Sequence, residues 1–204
     1  MYISSLRVRN FRSIRDETLP CDRLTALVGA NGTGKSSFLQ ALYHFYHPGT
    51  TYTVEDFYNQ DTSNEIVITV TFAGLNEEET ELFKKYIVGD TLTVEKVMAW
   101  PISRGGQKYH GSRLKNSDFD TFRSANGAAE LRRTYNQLRD GAYPDLPPYS
   151  NKNAAEAALQ EWEETHPDKC TRQRDEGQFF GFKEVGEAHL ERFTRFIYIP
   201  PVRE

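Results

Sequence analysis

Gly29, Gly32, Gly34, Lys35 and Ser36 fall within one short stretch, GANGTGKS. The spacing G-x-x-x-x-G-K-S suits a loop that curls its backbone N–H groups inward around phosphate, because glycine reaches left-handed dihedrals at no steric cost. A lysine at the end of such a loop adds a point charge for the β- and γ-phosphates. A serine next to it offers a hydroxyl to the Mg²⁺ that bridges them. The candidate phosphate-binding set in the loop is therefore Asn31, Gly32, Thr33, Gly34, Lys35, Ser36 and Ser37, with Ser36 as the metal ligand. A nucleoside triphosphate with Mg²⁺ is what this chemistry implies.

Such a loop works only between a strand and a helix, whose N-terminus adds the positive end of its dipole. The sequence supplies both. RLTALVG is expected to form a buried strand before the loop, and Phe38, Leu39, Leu42, Phe45 and Tyr46 recur at helical spacing after it until Pro48-Gly49. Upstream, YISSLRVRNF alternates loosely as a strand with one wet face. NEIVITVTFAG sets Ile66, Ile68 and Val70 against Val67, Thr69 and Thr71, and TLTVEKVMAW reads as another strand ending at Pro101. Asn76 with Glu79 three places on marks a capped helix over EEETELFKKYIV.

Beyond Ser103 the pattern loosens. SRGGQKY suggests a hairpin turn, and GAAELRRTYNQLRDG suggests an amphipathic helix between Gly127 and Gly141. Pro144, Pro147 and Pro148 force YPDLPPYSN into a loop, and NAAEAALQEWEETH is made of strong helix formers. FTRFIYIPPVRE has the apolarity of a buried strand. Because the sequence stops there, the chain is expected to be the N-terminal piece of something longer. The overall fold class expected is α/β.

Hydrolysis of a bound nucleotide needs a second strand ending in an acidic residue that orders Mg²⁺ and water. EIVITVTF, TLTVEKVMAW and RFIYIPP all lack one, and Glu204, the nearest acid, follows two prolines. The catalytic residues therefore stay unknown, and the chain by itself is expected to bind nucleotide without efficient turnover. Other chemistry-bearing residues favour plain structural roles. Arg7 and Arg9 read as solvent-facing strand positions, and RGGQKYHGSRLK reads as a solvated hairpin ahead of a nucleic-acid loop. His166 and Cys170 make too few ligands for zinc, and Phe179, Phe180, Phe182, Phe193 and Phe196 read as core.

The 204 residues are 38% hydrophobic, enough to bury a core, and carry a formal net charge of -4. That balance argues against indiscriminate coating of nucleic acid. Charge is uneven, positive over residues 1–48 and 103–153 and negative over 49–102 and 154–204. No apolar run approaches the roughly 18 residues of a membrane span, and no apolar leader follows Met1. A cytoplasmic location and no membrane partner are expected. Two widely separated cysteines suit a reducing compartment.

LRVRNFRSI followed by LTALVGANGTGKSSFLQAL resembles the SMC/RecF-like branch of the ABC-type ATPases. DFYNQDTSNEIVITVTF and GFKEVGEAHLERFTRFIYIPPVRE narrow the likeness to the N-terminal ATPase region of OLD-family (overcoming lysogenization defect) nucleases, over roughly residues 1–75 and the last 25 or so. The resemblance implies an ABC-type N-terminal lobe with a mixed sheet. Residues 1–75 would be its phosphate-loop core, 76–185 a helical and β insertion, and 186–204 a return strand to the core. It places Arg12 and Ser13 of NFRS beside the nucleotide and Arg203 where a glutamine usually reaches the γ-phosphate. Adenine over guanine rests on the resemblance too. It further implies a signature-motif lobe and a Toprim nuclease domain beyond Glu204, self-association through ATPase lobes, DNA as the partner of the parent protein, and a helicase-like or other partner in defence against phage. Two alternatives stay open: an SMC- or RecF-like DNA clamp without nuclease, and a small-molecule P-loop kinase, which ranks last because β-rich segments follow the first helix.

Overall fold

The computed structural model describes residues 1–102, 107–176, 179 and 190–199, which fall into two compact units: one comprising residues up to 112 with those from 174 onward, the other Arg113–Gln173. In the first unit, β1 (Tyr2–Phe11) and β2 (Ile14–Pro20) form a hairpin, α1 (Lys35–Tyr46) follows the glycine loop, and β3 (Ile66–Ala73) leads to α2 (Glu77–Phe83). The short β4 (Ile87–Val88) precedes β5 (Thr91–Met98). The chain enters the second unit along β6 (Gln107–Lys115) and leaves it along β7 (Thr171–Glu176). The sheet order is β2-β1-β3-β5-β6-β7, with β4 on β5. The pairs β1/β2, β1/β3, β3/β5, β4/β5 and β5/β6 are all antiparallel.

Alternation decides which face is wet. On β1, Leu6 and Val8 are buried while Arg7 and Arg9 face out. On β3, Ile66, Ile68, Val70 and Phe72 join them in the core. Arg7 grips Asp16 across the hairpin with Nε and Nη2, each 2.8 Å from a carboxylate oxygen, but this pair is exposed and contributes little. The core face receives α1 through Ala41 and Phe45, and Phe179 stacks on Phe83 beside Tyr86. The α2 helix starts where the sequence marks it. The Glu79 N–H donates to Asn76 Oδ1 at 2.8 Å, and the Asn76 N–H donates to Glu79 Oε2 at 2.8 Å. The Met1 ammonium adds an ion pair at 3.0 Å to the same Glu79.

The second unit holds α3 (Asp120–Arg123), α4 (Ala128–Asp140) and α5 (Lys152–Thr165), closed around Phe119, Phe122, Tyr135, Tyr143 and Leu159. Its polar centre is Glu163, 1% exposed. Glu163 receives Nη1 and Nη2 of Arg123 at 2.9 and 3.0 Å and the Asn116 N–H at 2.8 Å. A buried carboxylate persists only with this degree of compensation.

Two expectations fail. Residues 24–30 form no strand, and Leu24 and Val28 are 91% and 93% exposed. Residues 194–199 form none either, with Ile197 and Ile199 at 70% and 83%. Apolar, β-branched sequence becomes a strand only when another strand takes its N–H and C=O groups, and neither segment pairs within the described sheet. Arg104, Phe180, Phe182, Arg203, Glu204, the tip of SRGGQKY and the last residues of the expected return strand lie outside the described residues.

Gly111 on β6 packs directly against the buried Tyr86 ring, and a Cβ there would clash with its Cδ1. Gly111→Ala is expected to cost about 1–3 kcal/mol, the range for overpacking a core, read as a lower urea midpoint with an unchanged denaturant slope.

Candidate nucleotide site

The loop after residue 28 carries its curvature in two glycines, Gly32 at φ 84 and Gly34 at φ 90. Both lie in the left-handed region that side chains disfavour. Gly34 is also the N-cap of α1, and a Cβ on it would lie 3.3 Å from Ser13 Oγ. The loop holds its own shape: Thr33 Oγ1 donates to the Ala30 carbonyl at 2.9 Å. Lys35 folds back over it, with Nζ donating to the carbonyls of Gly29 at 2.7 Å and Ala30 at 2.6 Å. An ammonium is thus held within the loop at the positive end of α1, whose first turn contains no acidic residue. Asn31, Gly32, Thr33 and Ser36 are exposed, and Ser37 is buried.

The β1–β2 turn meets this loop from the other side. Ser13 Oγ lies 2.9 Å from Ser37 Oγ. Arg12, at φ 51, directs Nε to Asp56 Oδ1 at 2.9 Å and stacks its guanidinium over Phe11. The structure therefore gathers Ser13, Gly34, Lys35 and Ser37 into one neighbourhood, and Arg12 joins it through the backbone while its side chain turns to Asp56.

These groups fit a polyphosphate: a loop bent by two left-handed glycines, one ammonium and a helix N-terminus. The exposed Ser36 hydroxyl fits one position on a Mg²⁺ whose remaining ligands come from phosphate and water. Among the described residues no group of three or more histidine, cysteine or acidic side chains converges on a metal position. His166 stacks on Trp162 at 4.3 Å, and Cys170 donates to the Glu163 carbonyl. Tyr109, from the basic tract, points into the core and donates to the Phe45 carbonyl at 2.6 Å.

Sequence reading missed the groups that hold α1 from behind. Lys96 is fully buried on β5 and donates to the carbonyls of His44 and His47 at 2.6 and 2.8 Å, at the C-terminal end of the helix. Burial pulls its ammonium down to about 7. The signal was available, since Leu92, Val94, Lys96 and Met98 share one face by simple alternation. Asp56 was also missed. It accepts the Thr53 N–H at 3.0 Å in a reciprocal capping turn, which the pair Thr53 and Asp56 spells in the sequence.

A family model described as an AAA ATPase domain matches residues 1–173. An OLD nuclease of Thermus scotoductus is 40% identical over 81 residues, 34% of this chain and 14% of that protein. The DNA replication and repair protein RecF of Francisella tularensis subsp. mediasiatica is 42% identical over 48 residues, 23% of this chain and 14% of its own length. RecF of Proteus mirabilis is 46% identical over 48 residues, 23% of this chain and 13% of its own length. The chain thus spans 14% or less of these relatives. A solved structure from work on ATP-driven dimerization and DNA stimulated activation of SMC ATPases aligns over 53% of this chain and 68% of its own, with TM-score 0.40 and 22% identity. The resemblance drawn from NFRS and the glycine loop is to the same groups of proteins.

His44, on the buried side of α1, makes a pH-dependent contribution. It is 4% exposed, meets Phe11 edge-on at 5.4 Å, and its Nδ1 has no hydrogen-bond partner among the described residues. Burial first, then Lys96, Arg12 and His47, hold its pKa down to about 4 against an opposing pull from Asp56. Unfolding restores a value near 6.5, so the unfolded chain binds the extra proton between those limits and stability is lost as pH falls through them. The loss should total about 3 kcal/mol. His44→Gln should remove most of that slope in urea midpoints measured from pH 7 to pH 4.5, relative to wild type.

Proposed function

This chain belongs to the AAA ATPase domain family, and we propose that its glycine loop binds the triphosphate of ATP with Mg²⁺ as the N-terminal part of an OLD-type, DNA-acting ATPase. The observation that carries the reading is the Lys35 ammonium seated over the loop where two left-handed glycines open α1. In this reading Gly32, Thr33, Gly34 and Lys35 present N–H groups to the phosphates, and Asn31 lines the loop's outer side. Ser36 holds the cation, and Ser13 and Ser37 brace the first helical turn. Mg²⁺ held there would neutralise part of the phosphate charge. The protein's own contribution is position, fixed before ligand arrives.

DNA as the partner is supported by the similarity to OLD nuclease and RecF, a DNA replication and repair protein, and association through ATPase lobes is part of the same proposal. Cleavage of DNA, with ATP gating a Toprim nuclease domain in the intact protein, and a role in defence against phage are proposals that rest on the OLD kinship. The second reading, a clamp that engages DNA under ATP control without cutting it, is supported by the 42–46% identity to RecF proteins over 48 residues. The two readings share the nucleotide site and diverge in what the rest of the protein carries.

Isothermal titration with ATP and a non-hydrolysable analogue in Mg²⁺ tests the site. Lys35→Ala should weaken binding by about 10–100-fold, the value of one or two charge-assisted hydrogen bonds, while far-UV circular dichroism stays unchanged. The wild-type chain should show no multiple turnover, and sustained phosphate release would place the acidic catalyst within these 204 residues.

A further inference from the structure

We infer that Asp56 is a positioning residue of the nucleotide site, acting through the Arg12–Ser13 turn; the inference rests on the reading of the glycine loop as an ATP site. Arg12 has a φ of 51, a conformation that costs a non-glycine residue about 1 kcal/mol or more and persists only where its surroundings over-determine it. Asp56 is that surrounding. Its backbone carbonyl accepts the Arg12 N–H at 2.8 Å and its Oδ1 accepts Arg12 Nε at 2.9 Å, across 44 positions of sequence.

Asp56 is itself held. It is 9% exposed, its Oδ2 accepts the Thr53 N–H at 3.0 Å, and the adjacent Phe57 bridges Phe11 in antiparallel fashion. A carboxylate with both oxygens committed is a rigid post rather than a mobile counterion. It takes the Nε edge of the guanidinium and leaves the two Nη groups, on a side chain 40% exposed, with no hydrogen-bond partner among the described residues. Those groups are what an anion would use. One residue on, the same turn delivers Ser13 Oγ to Ser37 Oγ at 2.9 Å and against Gly34. Asp56, Arg12, Ser13, Ser37 and Gly34 thus form one unbroken line of contacts from a turn remote in sequence to the start of α1.

The test measures ATP affinity in the full 204-residue chain with Mg²⁺, using wild type, Lys35→Ala, Arg12→Ala, Asp56→Ala, their double variant, and Asp56→Asn. Asp56→Ala and Arg12→Ala should each weaken ATP about tenfold. The double variant should be no weaker than the worse single by more than about twofold, because the two act as a unit. Asp56→Asn keeps an acceptor for Arg12 Nε but sets an NH₂ against the Thr53 N–H and removes the charge, so its affinity should fall between those of wild type and Asp56→Ala. The inference is overturned by wild-type affinity in Asp56→Ala, by losses that multiply in the double variant, or by an Asn variant as weak as the Ala variant. Should Asp56→Ala fail to fold, Arg12→Lys decides. It keeps the charge but has no fork to share between Asp56 and phosphate, so it should lose at least about threefold, and retained affinity overturns the inference. Absence of ATP binding by the wild type, or undiminished binding by Lys35→Ala, overturns the nucleotide reading and this inference with it.

Discussion

One buried ammonium fixes the far end of the helix on which the site is built. Lys96 sits at 0% exposure, donates to the carbonyls that close α1, and rests 5.3 Å from the Tyr109 ring. Taking a cation out of water costs several kcal/mol unless it finds partners. The orphan carbonyls at a helix C-terminus, with their partial negative charge, are suitable ones. The cost of burying Lys96 is offset by pinning α1 to β5, which pairs with β3 and through it with β1.

The helix is therefore held at two poles of opposite character. At its C-terminal end it receives a protein cation, and at its N-terminal end it turns its unsatisfied N–H groups toward a loop shaped for an anion. Between the poles, Ala41 and Phe45 seal it to the sheet. A loop bearing two left-handed glycines has little rigidity of its own. Its accuracy comes from the Thr33–Ala30 bond within it, from the helix it opens and from the Ser13 contact at its back. Lys35 adds to this by bonding the loop's own carbonyls, so that its charge is already in place.

Much of this was legible in the sequence, for reasons that differ by residue. Gly32, Gly34 and Lys35 announce themselves because their chemistry requires a fixed spacing. Asn76 and Glu79 do so because a capping box is local, and β3 because its alternation is clean. β2 was hidden by Arg15, Asp16 and Glu17 at an edge where charges are tolerated, and β7 by a wholly polar TRQRDE. Lys96 and Asp56 were hidden because charged residues are usually solvated, and what keeps each of them inside is contributed by segments distant in sequence. The failures at 24–30 and 194–199 have the converse cause. Their composition is right for strands, but strand formation depends on a neighbour that no local pattern encodes.

The segment Arg113–Gln173 has a core of its own around Phe119, Tyr135 and Leu159, and its ends run out along β6 and β7, which are neighbours in the sheet. The contacts described around the glycine loop, from Ser13 through Asp56 to Lys96, are made by residues of the first unit. In evolutionary terms such a segment is a cassette. Recombination at two adjacent strand ends can lengthen, shrink or replace it while the glycine loop and its supports are inherited unchanged, so variation between related chains should concentrate there while residues 1–75 stay alike.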